Sequence, residues 1–82
     1  MNSEIEEPKP GETYRHFKNK ANLYRIMAIA RDVDNPEKKS VIYTSLYESV
    51  FPAGTVWSRS LDDFVGFKKL NGESVKRFTR VK

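Results

Sequence analysis

A continuous run of β-branched and aromatic residues extends from Val41 to Tyr47 without an interrupting glycine or proline. This composition is typical of a β-strand. Alternation places apolar side chains on both faces of the run, namely Ile42 and Leu46 on one face and Val41, Tyr43 and Tyr47 on the other. A strand with two apolar faces is expected in the interior of a closed or strongly bent sheet.

Further β-prone runs lie on both sides of this strand and are separated by polar or turn-forming residues. The predicted strands cover residues 12–17, 23–31, 41–47, 55–59, 65–67 with a bulge or bend at Gly66, and the two sides of a hairpin turn at Asn71-Gly72. Asn-Gly is the strongest hairpin signal in the chain. A polar turn is predicted at residues 18–22 and another at residues 32–38, around Pro36. Residues 60–64 predict one helical turn with Ser60 as its N-cap.

The segment Leu23–Arg31 is compatible with two structures. Its alanines, and the spacing of apolar residues such as Met27 and Ala30, favour a helix. The same residues also divide into two alternating sets, as in a strand. In addition, Arg25 stands where a helix capping box beginning at Asn22 would carry glutamate or glutamine. We predict a strand, with a helix as the alternative.

Together these runs predict an all-β fold, a small and strongly bent antiparallel barrel of five to six short strands with at most one short helical turn. A chain of 82 residues has room for a single domain. We predict a flexible, acidic and proline-containing arm at residues 1–10, the barrel domain at residues 11–78 and a basic tail at residues 79–82.

The chain has no cysteine and a single histidine, His16. Disulfides and a zinc site of cysteine and histidine ligands are therefore excluded, and no cofactor is predicted. No segment approaches the roughly 18 consecutive apolar residues of a membrane-spanning helix. We accordingly expect a monomeric, cytoplasmic protein that does not interact with a membrane.

The formal net charge of +4 is unevenly distributed along the chain. The first residues are acidic, whereas residues 65–82 contain six basic residues and one acidic residue. A basic segment of this kind is suited to an anionic partner such as nucleic acid. The alternative is a basic surface that is only solvated.

The sequence contains no arrangement of residues that is typical of an enzyme. It has no G-x-S-x-G motif and no glycine-rich phosphate loop, and His16 lacks an obvious pair of serine and carboxylate partners. The adjacent Asp62 and Asp63 are better placed to begin a helix than to bind a metal. We therefore expect a binding function rather than an enzymatic one.

Basic residues adjoin aromatic residues at several places, which is the pattern of a surface that stacks a planar group and binds its charge. The candidate binding residues are Arg15, His16, Tyr43, Tyr47, Trp57 and Arg59. We expect the guanidinium groups of Arg15 and Arg59 to reach one surface patch. Tyr43 or Tyr47 is expected to bound that patch, and His16 to lie near its rim.

Two alternatives to this patch remain open. The rings can be core residues beside which each arginine extends into solvent. Alternatively, Arg59 can form a surface ion pair with Asp62 or Asp63 and only stabilise the turn.

Several blocks of the sequence carry a family resemblance through their order and spacing. They are Gly11-Glu12-Thr13-Tyr14-Arg15-His16-Phe17-Lys18, Tyr24-Arg25-Ile26, Val41-Ile42-Tyr43, Leu46-Tyr47, Trp57-Ser58-Arg59, Phe64 and Arg77-Phe78. Together they resemble a family of small bacterial proteins, domain of unknown function 1653, over residues 11–78. The resemblance implies a Src-homology-3-type β-barrel in a bacterial protein and implies no activity. Family members usually carry proline after the Trp-x-Arg block, where this chain has Ser60.

These observations lead us to expect a small bacterial binding module that presents a basic and aromatic face to an anionic ligand, such as nucleic acid or a nucleotide. The alternative is a barrel that binds a protein partner by docking a peptide in an aromatic groove. Salt separates the two, because the affinity for nucleic acid falls steeply as salt is added.

Overall fold

Residues 7–82 are described by the computed structural model, and they form seven β-strands and one short helix. In chain order these are β1 (Thr13–His16), β2 (Asn19–Arg31), β3 (Lys39–Ser45), β4 (Val56–Ser60), α1 (Leu61–Phe64), β5 (Phe67–Leu70), β6 (Glu73–Lys76) and β7 (Phe78–Val81). All strand pairs are antiparallel. The predicted all-β class with one helical turn is therefore confirmed for these residues.

Five strands form one sheet in the order β4-β3-β2-β1-β7, and β5 and β6 form a separate hairpin. The edge strands of the larger sheet, β4 and β7, are not hydrogen-bonded to each other. The sheet is therefore open, which corrects the predicted barrel. The chain between the two edges forms α1 and the hairpin instead. Because α1 packs against β3 and β4, helical side chains complete the core in place of further strand pairing.

The ambiguous segment 23–31 belongs to β2, which pairs with β1 on one side and with β3 on the other. The predicted strand is confirmed. Its register shifts between Ile26 and Ala28, and such a bulge bends a strand. As a result Ile26 faces Tyr43 and Ile29 faces Val41, although the two isoleucines are three residues apart. The bulge therefore places two residues at a spacing of three opposite core residues of β3, whereas Met27, which suggested a helix in the sequence, is 49% exposed.

The polar turn predicted at residues 18–22 is shorter in the structure. The second strand already begins at Asn19, so Phe17 and Lys18 alone connect β1 to β2. The turn at residues 32–38 lies between β2 and β3, as predicted. A short β1–β2 connection keeps His16 and Asn19 directly opposite each other.

The β5–β6 hairpin turns at Asn71 and Gly72, whose φ angles are 53° and 83°. Two consecutive positive φ angles are typical of the type I′ turn, which matches the twist of paired strands. The hairpin predicted from Asn71-Gly72 is therefore confirmed.

Gly66 does not form a bulge within a strand, because β5 begins at Phe67. It lies directly after the helix, where a Cβ atom would come within 3.0 Å of the backbone oxygen of Asp62. The lack of a side chain at Gly66 lets the chain turn closely past α1 into the hairpin.

Ser60 determines where α1 begins, because its hydroxyl accepts the backbone N–H of Asp63 at 3.2 Å. The predicted N-cap is confirmed, and Asp62 and Asp63 lie in the first turn as expected. The short helix directs Phe64, which is 1% exposed, into the core. Within residues 7–82, no helix has the length and apolar character needed to cross a membrane.

The core is dominated by contacts between aromatic rings. Its buried apolar residues are Ile26, Val41, Tyr43, Phe64 and Phe78. The rings of Phe64 and Phe78 stack with their centroids 4.1 Å apart and their planes within 4°. Tyr43 packs edge-on against both of them. The core is thus a stack of two rings from α1 and β7, closed from the side by β3.

Residues at both ends of the described chain contact the sheet. Residues 1–6 of the predicted arm lie outside the described residues. In the described part of that arm, Pro8 is buried and Glu7 forms an ion pair with Lys39 of β3. At the other end, residues 79–81 of the predicted basic tail belong to β7, which pairs with β1.

Replacing Phe64 with alanine is expected to lower the free energy of unfolding by about 3–5 kcal/mol, because it leaves a cavity in the aromatic core. Phe67→Ala is the matched control. The Phe67 ring is 60% exposed, so its removal is expected to cost about 1 kcal/mol or less. Urea denaturation of both variants measures the difference. Equal losses would contradict the placement of Phe64 in the core.

Candidate ligand-binding site

A cavity of about 260 Å³ on the larger sheet has a lining of aromatic and polar side chains. We call it the tyrosine cavity. Its rings belong to Tyr24, Tyr43, Tyr47 and Phe78. Its polar groups belong to His16, Lys18, Asn19, Asn22 and Arg59. Each of the five strands of the larger sheet supplies at least one of these residues, so the cavity is formed by the complete sheet.

The structure brings together four of the six predicted binding residues. His16, Tyr43, Tyr47 and Arg59 all line the tyrosine cavity. Trp57 lines an adjoining cavity, and Arg15 lines a separate one next to the β5–β6 hairpin.

Arg15 and Arg59 therefore do not share a patch, which corrects the expectation for this pair. Arg15 and His16 are consecutive residues of β1, and consecutive side chains of a strand point to opposite faces. Arg15 is paired with Thr79 and His16 with Phe78 on the neighbouring strand. Only His16 therefore lies on the side of the sheet that carries Arg59.

The adjoining cavity, which we call the tryptophan cavity, has a volume of about 240 Å³ and contains Trp57 and Phe51. It shares four residues with the tyrosine cavity, namely Tyr24, Tyr43, Tyr47 and Arg59. The Trp57 indole N–H donates a hydrogen bond to the hydroxyl of buried Ser45 at 3.4 Å. Its ring meets that of Phe51 edge-on, with centroids 5.1 Å apart. The three tyrosines and Arg59 thus form a wall that the tyrosine and tryptophan cavities share.

The guanidinium group of Arg59 is positioned by two aromatic residues. Its Nε donates a hydrogen bond to the hydroxyl of Tyr43 at 3.4 Å. Its Cζ lies 5.5 Å from the centroid of the Phe78 ring, within the range of a cation–π contact. The terminal nitrogens of Arg59 have no hydrogen-bond partner among residues 7–82. They are therefore available to a planar oxyanion.

The ion pair considered between Arg59 and the acids of α1 is not present. Within the described chain the ion pairs are Lys39–Glu7 and Arg80–Glu12. The backbone oxygen of Asp63 accepts a hydrogen bond from Nε of Arg77 instead. Another arginine therefore stabilises the end of the helix, and Arg59 remains in the cavity.

Tyrosine hydroxyls supply further hydrogen-bond donors. The hydroxyl oxygens of Tyr24 and Tyr47 lie 2.5 Å apart, so one donates to the other and the acceptor keeps its own proton. Burial, together with the hydrogen bond to Tyr47, raises the pKa of Tyr24. The hydroxyl of Tyr43 accepts from Arg59 and also keeps its proton for a further acceptor. The cavity thus combines O–H and N–H donors.

The imidazole of His16 separates the tyrosine cavity from the cavity beside the hairpin, because it lines both. Its Nδ1 accepts the backbone N–H of Lys18 at 3.1 Å, so the neutral ring carries its proton on Nε2. Burial, together with the positive charges of Arg59, Arg77 and Lys18, lowers the pKa of His16. The ring is therefore neutral at pH 7.

The chemistry of the tyrosine cavity suits an oxyanion. Arg59 and Lys18 are positively charged, and no aspartate or glutamate of residues 7–82 lines the cavity. By contrast, a cavity of about 520 Å³ beside α1 is lined by both acids and lysines and by no ring. Nowhere in the described part of the chain do three or more histidine, aspartate or glutamate side chains form a group that could hold a metal ion.

Five lining residues were missed by sequence reasoning as candidates: Lys18, Asn19, Asn22, Tyr24 and Phe78. Tyr24 and Phe78 each adjoin an arginine in the sequence, and the alternation of β2 places Tyr24 on the same face as buried Ile26. The position of Tyr24 on the core-facing side of β2 could therefore have identified it as a candidate. Lys18 carried no signal, because its position depends on the geometry of the β1–β2 connection.

Comparison with known families supports the resemblance in the sequence. The family described as Protein of unknown function (DUF1653) matches residues 12–80. The chain therefore belongs to this family, as the sequence blocks predicted. No curated protein and no solved structure matches the chain.

The lowered pKa of His16 makes stability depend on pH in a defined direction. The unfolded chain takes up a proton near the ordinary pKa of 6.5, and the folded protein does so at a lower pH. The free energy of unfolding is therefore expected to decrease as pH falls below about 6.5. His16→Asn keeps an acceptor for the Lys18 N–H but cannot titrate.

Urea denaturation of the native protein and of His16→Asn between about pH 7.5 and pH 5.5 measures this dependence. The native protein should lose stability over this range, and the variant should lose less. Because the chain contains one histidine, identical pH dependences would show that His16 is not destabilised in its charged form.

Proposed function

We propose that this member of the DUF1653 family is a small binding module whose tyrosine cavity takes a planar, anionic ligand, either a nucleotide or one nucleotide unit of a nucleic acid. The observation that carries the proposal is that the Arg59 side chain is held in place while part of it stays free to bind. Its guanidinium group is positioned by Tyr43 and Phe78, and its terminal nitrogens have no partner among residues 7–82.

The anionic part of the ligand is assigned to Arg59 and Lys18. A guanidinium group presents a planar fork of N–H donors that matches phosphate oxygens. Arg59 is already oriented by its contacts with Tyr43 and Phe78, so little conformational entropy is lost when an anion binds. A hydrogen bond to a charged group contributes about 1.5–3 kcal/mol.

The planar part of the ligand is assigned to the tyrosine rings. Stacking of a base on an aromatic side chain contributes about 1–3 kcal/mol and tolerates different bases. The hydroxyls of Tyr24 and Tyr47 and the amides of Asn19 and Asn22 lie at the same cavity, where they can hydrogen-bond the edge of a base. The tyrosine and tryptophan cavities together have a volume within the roughly 300–1,000 Å³ of small-molecule sites.

A peptide ligand is the second candidate, and the tryptophan cavity favours it. Phe51, which lines this cavity, is 49% exposed, and aromatic grooves of this kind dock peptides in other small β-domains. A peptide held there would depend on Trp57 and Phe51 more than on Arg59.

We also propose that the open sheet is a Src-homology-3-type arrangement in a bacterial, cytoplasmic protein. Two features support the fold assignment. The last strand pairs with the first, and the single helical turn follows β4, the strand at the opposite edge of the sheet. The family resemblance supports the bacterial setting, and the cysteine-free sequence is compatible with the cytoplasm.

The test is a titration of the isotope-labelled protein with thymidine 5′-monophosphate, followed through its amide resonances. Shifts are expected in the tyrosine cavity. Arg59→Gln should weaken binding about tenfold or more, since it removes charge-assisted hydrogen bonds. Arg25→Gln is the matched control, because Arg25 is exposed and lines neither cavity. Equal affinities of the two variants, or no shifts at millimolar nucleotide, would exclude the proposal.

Salt distinguishes the nucleotide from the peptide. The affinity for a short single-stranded oligonucleotide should decrease markedly with added salt, because phosphate contacts release counterions. A peptide docked on Trp57 and Phe51 should bind almost equally well with and without added salt. Binding that is insensitive to salt and lost in Phe51→Ala would favour the peptide.

A further inference from the structure

A third cavity, which we call the hairpin cavity, lies between the β1–β7 pair and the β5–β6 hairpin and has a volume of about 260 Å³. Its apolar surface comes from Phe17, Leu70 and Val75. Three positively charged residues, Arg15, Lys20 and Lys76, also line it. No aspartate or glutamate of residues 7–82 does so. Its chemistry therefore repeats that of the tyrosine cavity: an apolar surface that includes a ring, with cations around it.

The hairpin cavity and the tyrosine cavity are neighbours, because the His16 side chain lines both. The β1–β2 connection passes between them. Lys18 of this connection lines the tyrosine cavity, and Lys20, two residues later, lines the hairpin cavity. Positive charge therefore continues from one cavity to the other around the corner formed by His16.

We propose that the two cavities bind consecutive nucleotides of one single strand of nucleic acid, with the strand passing over His16. This inference rests on the proposed function of the tyrosine cavity and extends it. One base lies against Tyr24 and Tyr47, and the next lies against Phe17 and Leu70. The phosphates follow Lys18 of the β1–β2 connection and Lys20 at the start of β2.

A single strand fits this arrangement and a duplex does not. Bases that enter two separate cavities must be unstacked from each other, which single strands allow at little cost. In a duplex the bases are paired and stacked, so only the phosphates could reach Lys18, Lys20 and Lys76. Cations along the backbone with aromatic surfaces for the bases are the usual features of proteins that bind single strands.

The test compares two probes of equal charge. The first is 5′-phosphorylated dithymidine, and the second is the same molecule with the second base replaced by an abasic unit. Dithymidine is expected to bind about fivefold or more tightly, because it adds one stacked base. It should also shift the amide resonances of Leu70 and Val75, which the abasic probe should leave unchanged. The uridine ribonucleotide equivalents form a parallel arm that distinguishes RNA from DNA.

Lys76→Gln is the variant that probes the second cavity. It should weaken dithymidine binding and leave the binding of thymidine 5′-monophosphate unchanged. Lys69→Gln is the matched control, because Lys69 is exposed on the same hairpin and lines neither cavity. The control should bind both probes as the native protein does.

The outcomes separate this inference from the function on which it rests. If the mononucleotide binds but the second base adds no affinity, the tyrosine cavity is a nucleotide site and the extended strand is excluded. If Lys76→Gln and Lys69→Gln weaken dithymidine equally, the hairpin contributes only general positive charge and the inference is again overturned. If neither probe binds, the inference and the proposed function both fail.

Discussion

The parallel stack of Phe64 on Phe78 is the contact on which both the core and the candidate site depend. Phe64 reaches the stack from the short helix and Phe78 from the last strand, and their centroids are 4.1 Å apart. The ring of Phe78 also contacts His16 edge-on and lies beneath the guanidinium group of Arg59. The same ring therefore fills the core and forms part of the cavity wall.

The use of the same side chains in the core and in the cavity wall follows from the small size of the domain. A chain of 82 residues without cysteine depends on its apolar core for stability, and the fully buried set here is small. Tyr24 and Tyr43 belong to the core cluster and also line the tyrosine cavity. A tyrosine with a hydrogen-bonded hydroxyl can both fill the core with its ring and offer a polar group to a ligand. Residues that bind the ligand in our proposal are thus also residues that hold the sheet together.

The features that the sequence predicted well have local causes. The Asn71-Gly72 turn and the Ser60 cap follow from the chemistry of one or two residues, and the family follows from several short blocks in order. The features that it missed depend on distant parts of the chain. Whether the sheet closes depends on whether β4 and β7 pair, and these two strands come from separate parts of the chain. The separation of Arg15 from Arg59 follows from strand alternation in β1 and from the pairing of β1 with β7. Residues 79–81 form a strand because β1 offers an edge, although Arg80 and the neighbouring Lys82 suggested a basic tail.

The tyrosine cavity takes residues from the first strand, the last strand and every strand of the larger sheet between them. A site assembled in this way exists only when all five strands of the larger sheet are folded, because unfolding of any one of them removes part of its wall. A bound ligand then stabilises the native state against every form in which one of these five strands is unfolded. Ligand binding would therefore make folding of the sheet more cooperative, and the amides of all five strands would gain protection from hydrogen exchange together.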